Sequence, residues 1–383
     1  MNRSRWVVPT FLIACSGTAR PDKSPGTTSV DTVDSGTTDT VDWDAILASI
    51  GTTVVMPRFV DTTTAAHTLS AAAVDFCAAP DAAGLVATQD AWHGVMAVWK
   101  QGEPGQFGPV WMEPWRVGPK VDFWPARPDN IQELLEDDYA VDAESVAAMG
   151  GVHRGLPVLD WLLFAPGDDT LAAFTEAETA RRRCDYLVGL TGDVAHQLQL
   201  LHDAWSPDGE NWLGNYTAPG PSHEYMSTRE IMDEVVNRVI FSVENVRALK
   251  LGKPAGQDSG GTPQPGALES PQSGRTIENA LDVLQGVDDR VRGDYAGVDG
   301  PGLLDAIPDA DKRADITASY IAAYDAAVAA VSAIPAPLSE TIYADPASVD
   351  VATEAVRDLQ VVLQVDLAQA LSVTIRFNDT DGD

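Results

Sequence analysis

An all-α protein of two tandem helical bundles is what this chain of 383 residues predicts, and three observations carry the prediction. Apolar residues step by three and four over long stretches: Leu187, Leu190, Val194, Leu198 and Leu201; Ile231, Val235, Val239, Val243 and Val246; Val356, Leu359, Leu363, Leu367 and Leu371. No convincing alternation of apolar and polar residues, the mark of a half-buried strand, accompanies them. A Pro/Gly-rich stretch at 216–222 divides the helical segments into two groups, and a second exposed loop runs over 252–265.

The elements follow in chain order. Residues 1–15 read as a signal peptide: Arg3 and Arg5 give a basic start, residues 6–14 a short apolar run, and Leu12-Ile13-Ala14-Cys15 closes it as a lipobox. The pattern resembles that of bacterial lipoproteins, which makes Cys15 the expected lipidation site; the run is too short to span a bilayer. By the same analogy Ser16, where an aspartate would imply retention at the inner membrane, implies an outer-membrane lipoprotein facing the periplasm or the cell surface. Residues 16–42 hold Ser, Thr, Gly, Asp and Pro with scarcely a large apolar side chain, and read as a disordered linker that holds the folded part off the lipid. Residues 43–218 make the first bundle, with helices expected near 54–78, 84–100, 129–136, 142–165 and 171–205. Residues 219–383 make the second, with helices near 224–250, 270–291, 310–333 and 347–371.

Apolar residues at 44% suffice for such cores, while 57 acidic against 25 basic residues give a formal charge of −32. That surplus argues against nucleic acid and anionic lipid as partners, since both need a basic surface; cation binding and plain solvation both fit it. No His-Glu-x-x-His, Gly-x-Ser-x-Gly elbow, P-loop or dinucleotide fingerprint occurs, so hydrolase, nucleotide and nicotinamide chemistry lack support. With Cys15 consumed by the lipobox, Cys77 and Cys184 remain in an oxidising compartment; a disulfide is the economical reading, two buried thiols the other.

Polar chemistry concentrates in the apolar stretch 151–164, which carries His153, Arg154 and Asp160 around Gly155 and Pro157. One reading is a buried helix kinked at Pro157, its bend freeing the His153 carbonyl and leaving His153, Arg154 and Asp160 to line a polar pocket. The other is a loop leading into a core helix that starts near Val158, with Asp160 paired to Arg154. A second polar cluster lies at 270–275, where Ser270 can cap a helix beginning at Pro271 while Ser273 and Arg275 have no such structural duty.

The stretch 151–164 resembles the signature of the imelysin family, in which a glycine, a histidine and, three residues later, a glutamate precede an aromatic-Leu-Leu-aromatic run. Asp160 with Trp161-Leu162-Leu163-Phe164 falls on the acidic residue and the run, which places Pro157 where the family's histidine stands. The Arg-Gly-Leu-Pro form is similar to the imelysin-like branch. The resemblance continues through Pro57 and Phe59, Phe76-Cys77, Ala91-Trp92, Trp99, Phe107-Gly108-Pro109, Trp124-Pro125, Arg182-Arg183-Cys184-Asp185-Tyr186, Lys250-Leu251-Gly252-Lys253-Pro254, Glu269-Ser270 and Ser273-Gly274-Arg275. It implies that the serine-rich turn approaches the signature across the bundle interface, giving His153, Arg154, Asp160, Ser273 and Arg275 as expected ligand-binding residues. It also implies an iron-linked role, with a small ligand, iron species or peptide as partner and iron or another divalent metal as the cofactor class. The alternative it implies is a metallopeptidase. A zinc peptidase needs about three protein ligands and a base beside the bound water, and here proline replaces the signature histidine, so binding without catalysis leads and no residue is assigned to a metal.

The lipobox is tested directly. Cys15→Ala should move the protein from the membrane fraction to the soluble fraction, checked by fractionation and by the mass of the N-terminal peptide.

Overall fold

Wherever the sequence repeats apolar residues at three and four, a helix buries that stripe. The computed structural model describes residues 41–137, 141–165 and 167–376, without the side chain of Asp168. The lipobox, nearly all of the linker and the tail 377–383 lie outside the described residues. Ten helices set the architecture: α1 (Trp43–Ser49), α2 (Met56–Ala78), α3 (Ala82–Gly102), α4 (Pro128–Glu136), α5 (Leu156–Phe164), α6 (Ala180–Trp205), α7 (Thr228–Asn245), α8 (Thr276–Arg292), α9 (Ala310–Ser332) and α10 (Pro346–Val361). Shorter helical turns join them. Among the described residues there is no strand, and no helix is long and apolar enough to cross a membrane.

Side chains at the starts are as capping requires: Asp81 accepts the Gly84 N–H at 2.7 Å before α3, and Asp309 accepts that of Lys312 at 3.0 Å before α9. Gly293, with φ of 85°, ends α8 in the left-handed region that a Cβ disfavours. Three of the helices continue into π-helical turns, at Ile50–Val55, Val246–Gly252 and Val362–Leu367. Periodicity gives no sign of these.

Helix α2 packs along both α3 and α6 in the first group, and α9 lies along α10 in the second. The seam between the groups is α3 against α8. One hydrophobic cluster runs through both groups from Ile46 to Val373, within a single compact unit spanning residues 39–383.

Three expected helices change shape: the span 171–205 divides into a short helix at Thr170–Thr175 and α6, and two others are reshaped by contacts distant in sequence. The span 142–165 breaks into Ala143–Ala147, a 3-10 turn at Gly151–His153, and α5. At Gly155, with φ of 87°, a Cβ would lie 2.4 Å from the Val121 carbonyl oxygen, so the chain turns against its neighbour there. Pro157 consequently falls in the first turn of α5, where a missing N–H costs nothing, and the expected kink does not arise. The span 270–291 starts late: Ser270 has φ of 51° and lies in a turn, so it does not cap the helix, and α8 begins at Thr276.

Cys77, near the end of α2, and Cys184, in the first turns of α6, form a disulfide with Cα atoms 5.4 Å apart. It closes 107 residues of sequence. Cys77→Ser with Cys184→Ser should therefore cost roughly 2–5 kcal/mol, read as a lower urea midpoint that matches the wild type under reductant.

Candidate functional site

The structure brings the signature onto the serine turn through one carboxylate. Asp160, on α5 and 2% exposed, accepts the backbone N–H groups of Gln272 and Ser273, one on each oxygen, both at 3.0 Å. Burial raises its carboxyl from 3.8 to about 6; the bonds from the Ser273 and Gln272 donors pull the other way, and the nearby Glu269 charge adds to the rise.

The remaining expected residues divide. Arg154 does not pair with Asp160: it grips Asp193 of α6 with Nε (2.8 Å) and Nη2, and gives Nη1 to the Ala147 carbonyl at 2.9 Å. A guanidinium prefers the two-toothed carboxylate, and both oxygens of Asp160 are already engaged. The His153 carbonyl is not free either, because the Tyr186 hydroxyl donates to it. His153 lines a separate surface groove with Asn130, Glu133 and Met149. Arg275 joins the Asp160 side indirectly: it donates to Asn279 and, at 2.7 Å, to Asp282, while Asn279 reaches Ser270 at 3.1 Å and Glu269 at 3.0 Å.

Behind the turn lies a buried ion cluster that tandem periodicity does not reveal. Lys100 of α3, 1% exposed, donates to both Asp122 and Glu269. Lys250, in the π-helical turn after α7, reaches both oxygens of Glu269 at 3.1 and 3.2 Å and Glu103 at 3.0 Å. Burial would lower the Lys100 ammonium, but Asp122, Glu269 and Glu103 outweigh it and hold the ammonium above its ordinary value. Burial likewise opposes ionisation of Glu269, yet Lys100 and Lys250 bring it down to about 2. Lys100 and Glu269 are thus charged throughout the neutral range.

The cluster's members Lys100, Glu103, Asp122 and Lys250 line a cleft of about 190 Å³ together with Trp99, Trp111, Trp124, Arg238 and Phe241. Trp99 gives its Nε1–H to Asp122 at 2.8 Å, and the other oxygen of Asp122 has no hydrogen-bond partner among the described residues. Such a cleft offers aromatic faces, ammonium donors and carboxylate acceptors within one opening. Trp99, Trp124, Lys250 and Glu269 stand in the sequence as marks of the family resemblance. What would have flagged Lys100 is its setting, a lysine directly after the buried residues Val95, Met96 and Trp99.

The metal that an imelysin resemblance implies does not fit the signature here. Both oxygens of Asp160 are occupied by backbone donors, Pro157 offers no ligand, and His153 lines a separate groove. No group of three or more His, Cys, Asp or Glu side chains suited to a metal is present among the described residues.

Fold and site together define an all-α protein in which a signature carboxylate closes onto a serine turn beneath an aromatic cleft. The chain belongs to the imelysin family, whose family model matches residues 55–365. Iron-regulated protein A of Synechococcus elongatus is 25% identical over 229 residues, which cover 59% of this chain and 58% of that relative's length. A solved structure from Parabacteroides distasonis, described as an iron-regulated protein A precursor, superposes with a TM-score of 0.71 at 19% identity, covering 88% of this chain and 97% of that one. An imelysin-like protein from Psychrobacter arcticum gives 0.70 at 17% identity with the same coverage. These two likenesses establish the all-α fold.

Asp160 makes a prediction with a definite sign. Its folded value of about 6 lies above the ordinary 3.8, so it favours the fold when protonated, fully below about pH 4, and that contribution is lost as pH rises through about 6, a loss of roughly 3 kcal/mol. Asp160→Asn, which cannot ionise, should flatten this part of the profile, measured as the difference in urea midpoints between wild type and variant at about pH 4 and pH 7.

Proposed function

We propose that this chain is a non-catalytic, lipid-anchored ligand-binding protein of the cell envelope, linked to iron handling, whose ligand enters the Trp99–Trp111–Trp124 cleft. The observation that carries the reading is the buried Lys100–Asp122–Glu269–Lys250 cluster at the edge of that cleft, with no metal-ligand group beside it among the described residues. Fixed donors and acceptors under aromatic walls suit recognition of a small polar or charged ligand. The iron link is supported by two relatives that carry the name iron-regulated protein A. The envelope location is supported by the lipobox at Cys15. His153 and Arg154, set apart from the cleft, serve as support for the signature; Asp160, Ser273 and Arg275 hold the turn against which the cluster is built.

The test pairs binding with catalysis on the purified protein. Ferric citrate, ferrous ion and short peptides are titrated while tryptophan fluorescence is read, and peptidase activity and metal content are measured on the same preparation. At least one probe should quench saturably, and Trp124→Ala should weaken that binding about tenfold or more, as loss of a stacking face does. Peptide hydrolysis with stoichiometric, tightly held zinc would establish the metallopeptidase instead.

A further inference from the structure

A second cavity, between α2, α3 and α8, is lined by two arginines, Arg58 and Arg290, beside a single carboxylate, Asp289, that pairs with Arg58. It is lined by Val55, Arg58, Phe59, Trp99, Gln106 and Arg290 and has room at its centre for about one water-sized sphere. Arg290 is 2% exposed and gives Nη1 to the carbonyls of Gly286 (2.9 Å) and Gln101 (3.5 Å), with no Asp or Glu ion pair among the described residues. Its Nε has no hydrogen-bond partner among the described residues. Arg58, 3% exposed, gives Nη1 to Gln101 at 2.6 Å and Nη2 to Asp289, and its Nε is likewise without a partner. The groups in reach are already committed: Asp289 to Arg58 and Gln285, Asp282 to Arg275 and Gln101, and Asp61 to Tyr295, whose ring lies 4.3 Å from the Arg58 guanidinium.

The surplus at this place is of donors and of positive charge. Two further buried donors without partners, Trp205 Nε1 and the Tyr216 hydroxyl, stand close by: the Trp205 ring lies 5.2 Å from Phe59 and 5.9 Å from Tyr216. A buried cation with no ion pair of its own is among the costliest groups a fold can hold. Yet the backbone is shaped around this one, since a Cβ on Gly105 would fall 2.3 Å from Arg290 Nη2.

We propose that this cavity is a binding site for one small inorganic anion of halide size, chloride in physiological salt, held by the Nε–H groups of Arg58 and Arg290. The size excludes carboxylates and phosphates. Burial, with Arg58 beside it, brings Arg290 down only to about 10, and a guanidinium stays charged at neutral pH. Trp99 and Gln106 also line the aromatic cleft, so the anion fixes one wall of that opening from behind. The site stands independently of what the cleft binds.

The experiment uses the purified full chain, exchanged into sodium gluconate and titrated with sodium chloride at constant ionic strength. Gluconate is too large for the cavity. Tm should rise saturably by a few degrees with chloride, as it does for any ligand bound only by the folded state, and bromide should substitute. Crystals grown in bromide should give an anomalous peak between Arg58 and Arg290. Arg290→Met should abolish the chloride dependence; if that variant does not fold, Arg58→Lys, which keeps the charge and loses the Nε–H, serves in its place. A Tm indifferent to chloride, a water in place of the bromide peak, or an undiminished chloride effect in the folded variant would each overturn the proposal.

Discussion

The ammonium of Lys100 is the group on which the two helical groups most depend. It comes from α3 in the first group, and Glu269, its partner, precedes α8 in the second. Removing either member would leave the other charged and buried, at a cost of about 3–5 kcal/mol, whereas the intact cluster gains little over an apolar substitute of equal shape. Its value is therefore in register: only one way of sliding α3 along α8 brings Lys100, Asp122, Glu269, Lys250 and Glu103 together. The walls of the cleft inherit that register. Trp99 precedes Lys100 by one residue, and Trp124 follows Asp122 by two.

The signature helix is set by a related constraint on hydrogen bonding. A turn that lies across a seam has backbone N–H groups with no helix to satisfy them, and Asp160 supplies acceptors for two of them from the other side. The acidic residue of the family pattern thus has a structural duty here that holds whether or not a ligand is near. Arg154 has the same kind of duty toward Asp193, tying the approach to α5 onto α6.

Much of the fold was legible because helical burial repeats. Stripes such as Leu187, Leu190, Val194, Leu198 and Leu201 leave no other element to choose, and all five are buried. Where the reading missed, the deciding contact lies far away in sequence. Nothing near Gly155 announces that Val121 will sit against it, and nothing near Ser270 shows that the chain must first form a turn for Asp160 to cap. For the site, Asp160 and Ser273 were found together and Arg275 joins them through Asn279, but the partner of Arg154 was misread as the nearest acid in sequence. Lys100 and Arg290 were missed for one reason: a buried cation looks like a surface one until the fold surrounds it.

The disulfide between Cys77 and Cys184 has a consequence of a topological kind. It joins the end of α2 to the start of α6, so that α3, α4, α5 and every loop among them belong to one closed covalent ring. A single protease cut at any point of that ring opens the circle without parting the molecule. In a compartment where proteases meet exposed loops, the Trp99 and Trp124 walls and the signature would stay attached to both helical groups after such a cut. Reduction of one bond would be needed to separate the pieces.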